Sequence, residues 1–205
     1  MLILLLVRHA LCDHVGRVIA GRTPGIHLNE TGRAQAGELS RGLASLPIEA
    51  VYSGPLERAQ ETAEPIAQAL GLPVSLASGL DELDFGTWTG QSIEELDRQP
   101  LWRAFNTFRS STRIPGGELA GEVVARALDE AARFEREHPG AVVVAVSHGD
   151  VIRSLVAHYA GMPIDLLLRL EISPASVSAV RLEAHGPRLL WINATHWKDL
   201  LRREL

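Results

Sequence analysis

The sequence predicts an α/β fold, a three-layer α/β/α sandwich with a mostly parallel central sheet, one antiparallel edge and a small inserted helical cap. Three observations carry this. Leu2 to Val7 and Ala141 to Val146 are unbroken aliphatic runs, too short for ordinary helices, and such runs suit strands buried on both faces. Between them, further strand-like pieces alternate with Ala-, Leu- and Glu-rich pieces of helical composition, as in a sheet covered on both sides. Towards the C-terminus, Val177 to Leu182 and Leu189 to Asn193 flank His185-Gly186-Pro187, a hairpin pattern that supplies the antiparallel edge.

Taken in order, the first aliphatic run stops at Arg8-His9. Asn29-Glu30-Thr31-Gly32 precedes a helix expected from Arg33 to Leu46, with Asn29 or Thr31 placed to cap its start and Pro47 just beyond its end. Ala50 to Ser53 is a short strand, Leu56 to Leu70 a helix that Gly71 stops, and Val74 to Ala77 another strand. The polar Asp81-Glu82-Leu83-Asp84-Phe85-Gly86 follows. Thr87 to Glu118 differs in character: it holds two of the four tryptophans and two of the four phenylalanines, and one helical piece from Ile93 to Phe108 leads to Ile114-Pro115-Gly116-Gly117. It is expected to be a cap inserted at about Phe85 to Ala120 in a single domain spanning 1–205, with Trp88, Trp102, Phe105 and Phe108 as its apolar core in preference to the alternative, a wall against substrate. Gly121 to His138 reads as a long helix. Ala141 to Val146 stops at Ser147-His148-Gly149-Asp150, and Val151 to Tyr159 begins the next helix.

With 46% hydrophobic and 22% charged residues, the chain has material for a large core and no signature of disorder. A net charge of −5 argues against nucleic acid or an anionic membrane as partner, so any anion site must be local. The apolar start, Met1 to Val7, has no basic region before it and meets Arg8 too early for a signal peptide. No later apolar run approaches the ~20 residues that cross a bilayer. The single cysteine, Cys12, forms no internal disulfide, which fits a reducing cytoplasm. It also leaves any zinc site to histidines and carboxylates alone, and none of the eight histidines stands in an HExxH arrangement, so neither metal nor cofactor is expected. A homodimer is compatible with these features.

In a parallel sheet the ligand crevice lies beyond the carboxyl ends of the strands. Both aliphatic strands end there in a histidine, His9 and His148. Phosphoryl transfer to an imidazole needs a neutral ring with one free nitrogen, fixed positive donors for the phosphate oxygens, and a proton for the leaving oxygen. His9 is the candidate nucleophile, with Arg8 beside it. Arg58, in Ser53-Gly54-Pro55-Leu56-Glu57-Arg58-Ala59, sits at a helix start that also favours anions. Arginine grips phosphate through two parallel hydrogen bonds, and the chain has one lysine, Lys198. Glu82 is the candidate general acid, provided burial raises its pKa, and His148 stabilises the transferring oxygens. Singly, an arginine or glutamate is most often a solvated charge and a strand-end histidine a structural one. Composition and spacing alone therefore reach an α/β protein with an anion crevice.

Four motifs in order go further: Arg8-His9-Ala10; Leu28-Asn29-Glu30-Thr31-Gly32-Arg33-Ala34-Gln35-Ala36; Ser53-Gly54-Pro55-Leu56-Glu57-Arg58-Ala59-Gln60-Glu61-Thr62-Ala63; and Ser147-His148-Gly149. Together they resemble the histidine phosphatase superfamily, the phosphoglycerate mutase-like proteins, nearly end to end. Asp81 to Gly90 resembles the segment carrying that family's proton donor. The resemblance implies a metal-independent phosphomonoester hydrolase: His9 attacks phosphorus, Glu82 protonates the leaving oxygen, water releases phosphate, and Arg8, Arg58 and His148 form the pocket. Two places depart from the pattern. Ala10 replaces the usual glycine, and in Leu11 to Gly25 the chain has Val15-Gly16 and Ala20-Gly21 where many relatives carry an asparagine and a Gln-Gly pair. Arg22 is the candidate replacement donor to phosphate, against its plainer reading as a loop charge.

Mutases of the family carry a longer insert rich in lysine and tyrosine, whereas here neither occurs between Leu83 and Glu118. The expected activity is therefore hydrolysis of a small-molecule phosphate ester, such as a sugar phosphate or the ester of a cofactor precursor. A mutase is the alternative. A non-catalytic phosphate-binding module is disfavoured, because nucleophile and proton donor are both kept.

Overall fold

The structure, a computed structural model, describes residues 1–195; Lys198 and the end of the expected 1–205 domain lie outside them. Six strands form one sheet in the order β3-β2-β4-β1-β5-β6: β1 (Leu2–Arg8), β2 (Ile48–Ser53), β3 (Val74–Leu76), β4 (Val142–Ser147), β5 (Val177–Leu182) and β6 (Arg188–Ala194). The pairings β1/β4, β4/β2 and β2/β3 are parallel, whereas β5 is antiparallel to both β1 and β6. This is the mostly parallel sheet with an antiparallel edge.

Alternation along β1 divides the core. Leu2, Leu4 and Leu6 face the side packed by Phe134, Ile152 and Phe105, and Ile3, Leu5 and Val7 face the side packed by Leu39, Leu43 and Ile66. The first side is covered by α5 (Ala120–Glu137), α6 (Gly149–Tyr159) and the aromatic segment before α5; the second by α1 (Glu30–Leu43) and α2 (Glu57–Leu70). Both faces of β1 and β4 are thus apolar, which is why these runs show no polar alternation. Among the described residues no helix is long and apolar enough to cross a membrane.

Asn29 caps α1 through its side chain, accepting from the Gly32 amide, and the helix ends at Leu43, earlier than the expected Leu46. Gly71, at φ 68°, closes α2 in the left-handed conformation that favours glycine. The single helical piece expected from Ile93 to Phe108 is two helices, α3 (Ile93–Asp97) and α4 (Pro100–Thr107), because Pro100 starts a helix but cannot continue one. Trp88 packs edge to face on Trp102 and on Phe105, with centroids 5.2 and 5.4 Å apart, and Trp102 and Phe105 lie tilted at 6.1 Å. Phe108 departs from expectation: it follows the last turn of α4 and is 57% exposed. A 3₁₀ segment at Ile164–Arg169, which no periodicity announced, packs against α4 and α6.

Candidate active site

The register of β1 on β4 pairs Arg8 with Ser147, so the residues that follow, His9 and His148, leave the sheet side by side. The His9 amide donates to the Ser147 carbonyl (2.8 Å), and the Gly54 amide, just past β2, donates to the Val146 carbonyl (3.0 Å). Three parallel strand ends therefore meet at one rim. The two imidazoles are buried, with ring centroids 5.2 Å apart. A side chain at Gly54 would not fit: its Cβ would lie 2.8 Å from the Leu80 carbonyl oxygen and 3.5 Å from His148 Nε2.

His9 Nδ1 lies 2.8 Å from the carbonyl oxygen of Ala10. A carbonyl only accepts, so Nδ1 carries the proton and the Nε2 lone pair is left free. Burial, reinforced by the Arg58 and Arg8 guanidiniums, depresses the His9 pKa to about 3, which keeps the ring neutral at physiological pH. Ala10 holds this turn without strain. The described non-glycine residues at positive φ are Ala175 and Asn193, and the Ala10 methyl packs with Leu28 and Ala36, so the side chain in place of glycine is accommodated.

Around the rings are polar groups whose donors find no partner among the described residues. Arg58, 1% exposed in the first turn of α2, donates through Nη2 to the Gly21 carbonyl (2.8 Å) while its Nη1 has no partner. Arg8 donates through Nη1 to the Ile172 carbonyl (2.6 Å) and its Nε has none. Both ring nitrogens of fully buried His148 lack a hydrogen bond. Buried donors left empty are unusual, because each forfeits solvation. The starts of α2 and α6 lack side-chain caps, so their orphan amides add to a field suited to an anion. Thr62 ties the frame together: its hydroxyl accepts from the Ala10 amide (3.0 Å) and donates to the Arg58 carbonyl (2.7 Å).

Glu82 Oε2 lies 3.7 Å from His148 Nδ1, and Glu82 Oε1 accepts from the Leu83 amide at 2.8 Å. Burial, then the nearby Asp150 carboxylate, raises its pKa from 4.5 to about 7 against the opposing pull of Arg58, the Leu83 amide and Arg8. Burial also holds His148 well below its ordinary value, assisted by His9 and the arginines around it. The site thus combines a neutral imidazole with a free nitrogen, unfilled cationic donors and a carboxyl that keeps a proton near neutrality.

The model of the histidine phosphatase superfamily (branch 1) matches residues 4–195. The chain belongs to this superfamily. Over 199 residues it is 30% identical to phosphoserine phosphatase 1 of Hydrogenobacter thermophilus, covering 95% of this chain and 93% of that one. It is 32% identical over 183 residues to a probable phosphoglycerate mutase of Salmonella choleraesuis, covering 88% and 85%. It is also 36% identical over 187 residues to a bifunctional protein of Mycobacterium tuberculosis, covering 89% of this chain but 51% of that protein, so it spans about half the length of that relative. Among solved structures, a mycobacterial glucosyl-3-phosphoglycerate phosphatase superposes with a TM-score of 0.84 at 26% identity, covering 94% of this chain and 99% of that one.

Within this histidine phosphatase-family chain, His9, Arg8, Arg58, His148 and Glu82 converge as expected, and Arg22 does not join them. Its Nε donates to the Glu82 carbonyl (2.8 Å), and its guanidinium meets carboxylates of Asp81 (3.2 Å), Glu118 (3.0 Å) and Asp84 (3.9 Å). Its Nε and Nη2 are therefore engaged by the Glu82 backbone and by carboxylates, the surroundings of a loop charge with local partners. Sequence reasoning also left Asp150 without a role. Buried Arg109 (3.2 Å) and Arg153 (3.2 Å) pair with it, and its position two residues after His148 was the available signal. Arg126 of α5 carried no such signal.

Proposed function

We propose that this chain hydrolyses phosphate monoesters of small metabolites through a phosphohistidine at His9. The observation that carries this reading is His9 itself: a buried imidazole whose Nδ1 proton is held by its own Ala10 carbonyl, leaving Nε2 unprotonated among unfilled donors. Phosphate oxygens accept hydrogen bonds from the free donors of Arg8, Arg58 and His148, the last through the N–H of its neutral ring. Nε2 attacks phosphorus as the ester P–O bond breaks, and Glu82 delivers its proton to the departing oxygen. In the second half, Glu82 as carboxylate takes a proton from water while the water oxygen attacks the phosphohistidine, giving inorganic phosphate and returning both groups to their starting states. Fixed donors act here because the site is buried and need not reorganise. The segment from about Phe85 to Ala120 is read as the cap over this site, carrying its specificity.

The phosphatase names among the relatives support hydrolysis, and one relative's name favours a second reading, a phosphoglycerate-type mutase. The insert has no lysine or tyrosine to retain a bisphosphate, which favours hydrolysis. The test is phosphate release from p-nitrophenyl phosphate and from phosphorylated metabolites in EDTA, by the wild type and His9→Ala. The wild type alone is expected to release phosphate. Equal rates would remove His9 from the chemistry, and isomerisation of 3-phosphoglycerate that needs a bisphosphate primer would establish the mutase instead.

A further inference from the structure

The hydrogen bond described for the Glu82 carboxyl is a local one: Oε1 accepts from the amide of the next residue, Leu83, while His148 Nδ1 stands at 3.7 Å from Oε2. Where its carboxyl sits is therefore set by the backbone from Gly79 to Leu83. That backbone is gripped from outside by two guanidiniums. Arg126 Nη1 donates to the carbonyls of Gly79 (2.8 Å) and Asp81 (2.7 Å), and Arg126 Nη2 to the carbonyl of Glu82 (3.1 Å). Arg22 Nε donates to the same Glu82 carbonyl at 2.8 Å. Glu118 bridges the pair: Oε2 lies 3.0 Å from Arg22 Nη2 and 3.1 Å from Arg126 Nη2, Oε1 accepts from Arg126 Nε at 3.0 Å, and Oε2 also accepts from the Asp84 amide at 2.9 Å.

We propose that Arg22, Glu118 and Arg126 form a clamp that positions Glu82 for proton transfer, so that Arg22 and Arg126 are positioning residues rather than phosphate ligands. The three come from distant pieces of chain: the loop after β1, the end of the aromatic insert, and α5. Arginine suits the task because one planar fork meets three carbonyls and a carboxylate at once, and an ammonium does not. Arg126 and Glu118 are 20% and 18% exposed at their side chains, so water screens their pairing only in part. General acid transfer depends steeply on placement, with a misplacement of about 1 Å lowering rates by up to about 100-fold. The clamp thereby ties the seating of the insert to readiness for leaving-group protonation.

This inference rests on Glu82 being the proton donor, and the experiment separates the two. Full-length Arg126→Gln, Arg22→Lys, Glu118→Gln and Glu82→Gln variants are compared for kcat and KM on p-nitrophenyl phosphate, whose leaving group departs without a proton, and on phenethyl phosphate, whose leaving group needs one. Thermal melting accompanies each. Arg126→Gln and Glu118→Gln are expected to lower kcat/KM on phenethyl phosphate, which reports phosphoryl transfer and leaving-group departure alone, by ~10- to 100-fold, while kcat/KM on p-nitrophenyl phosphate changes less than about threefold. Arg22→Lys, which removes the fork from one side, is expected to show the same split to a smaller degree and serves if the others do not fold. Equal losses on both substrates, or none, with the split retained in Glu82→Gln would overturn the clamp and leave the proton donor standing. Absence of the split in Glu82→Gln would overturn both.

Discussion

Replacing Glu82 by glutamine should make the folded chain more stable at alkaline pH while slowing transfer from esters whose leaving group needs a proton. Burial and Asp150 raise the Glu82 pKa from 4.5 to about 7, so ionising this carboxyl is harder in the fold than in the unfolded chain. A raised folded pKa means that the native state is unburdened below about pH 4.5 and loses stability as pH rises through about 7. At 1.36 kcal/mol per pKa unit, the full loss is about 3 kcal/mol, of which less than about 1 is present near pH 5 and nearly all near pH 8. Glutamine stays neutral, and its oxygen can still accept from the Leu83 amide. Urea unfolding of both proteins near pH 5 and near pH 8 measures the difference. The advantage of Glu82→Gln over wild type should grow by about 2.5 kcal/mol between those pH values. A stability difference that does not change with pH would refute the claim that Glu82 is buried with its proton.

Three further outcomes follow from the same geometry. Arg58→Lys keeps the charge but loses the fork that binds Gly21 and leaves Nη1 free, and should lower kcat/KM by roughly 100-fold in steady-state assays. Asp150→Asn leaves buried Arg109 short of its counter-charge, which should cost about 3 kcal/mol in urea melts. It also removes a charge that raises the Glu82 pKa, so the alkaline limb of kcat should move to lower pH. Gly54→Ala drives a methyl into the Leu80 carbonyl, and should destabilise the fold by roughly 1–3 kcal/mol and displace His148, seen as a shift in its imidazole NMR signals.

What was legible in the sequence was mostly local. The two aliphatic strands could be read because burial on both faces demands unbroken apolar runs, and their terminal histidines followed from the rule that crevices open at strand ends. Asn29 and Gly71 announced helix ends because capping is decided within a few residues. Pro100 carried a start signal that reading one helix from Ile93 to Phe108 overrode. Arg22 shows the limit of such reasoning: its partners Asp81, Asp84 and Glu118 lie far along the chain, and nothing near it distinguishes a donor for phosphate from a donor for a backbone carbonyl. Arg126 and Arg109 are similar, ordinary helix and loop charges until packing brings them to Glu82 and Asp150. Composition groups Phe108 with the other aromatics of its segment, yet its place just after α4 leaves it exposed.

The central claim is tested most directly by finding the transferred phosphoryl group. Brief mixing with labelled p-nitrophenyl phosphate, quenching in base and peptide mass mapping should place a base-stable, acid-labile phosphate on the peptide bearing Arg8-His9-Ala10, at His9, with none trapped on His9→Ala. A phosphate found on a serine or aspartate, or turnover without any phosphoenzyme under conditions that accumulate it, would contradict the account.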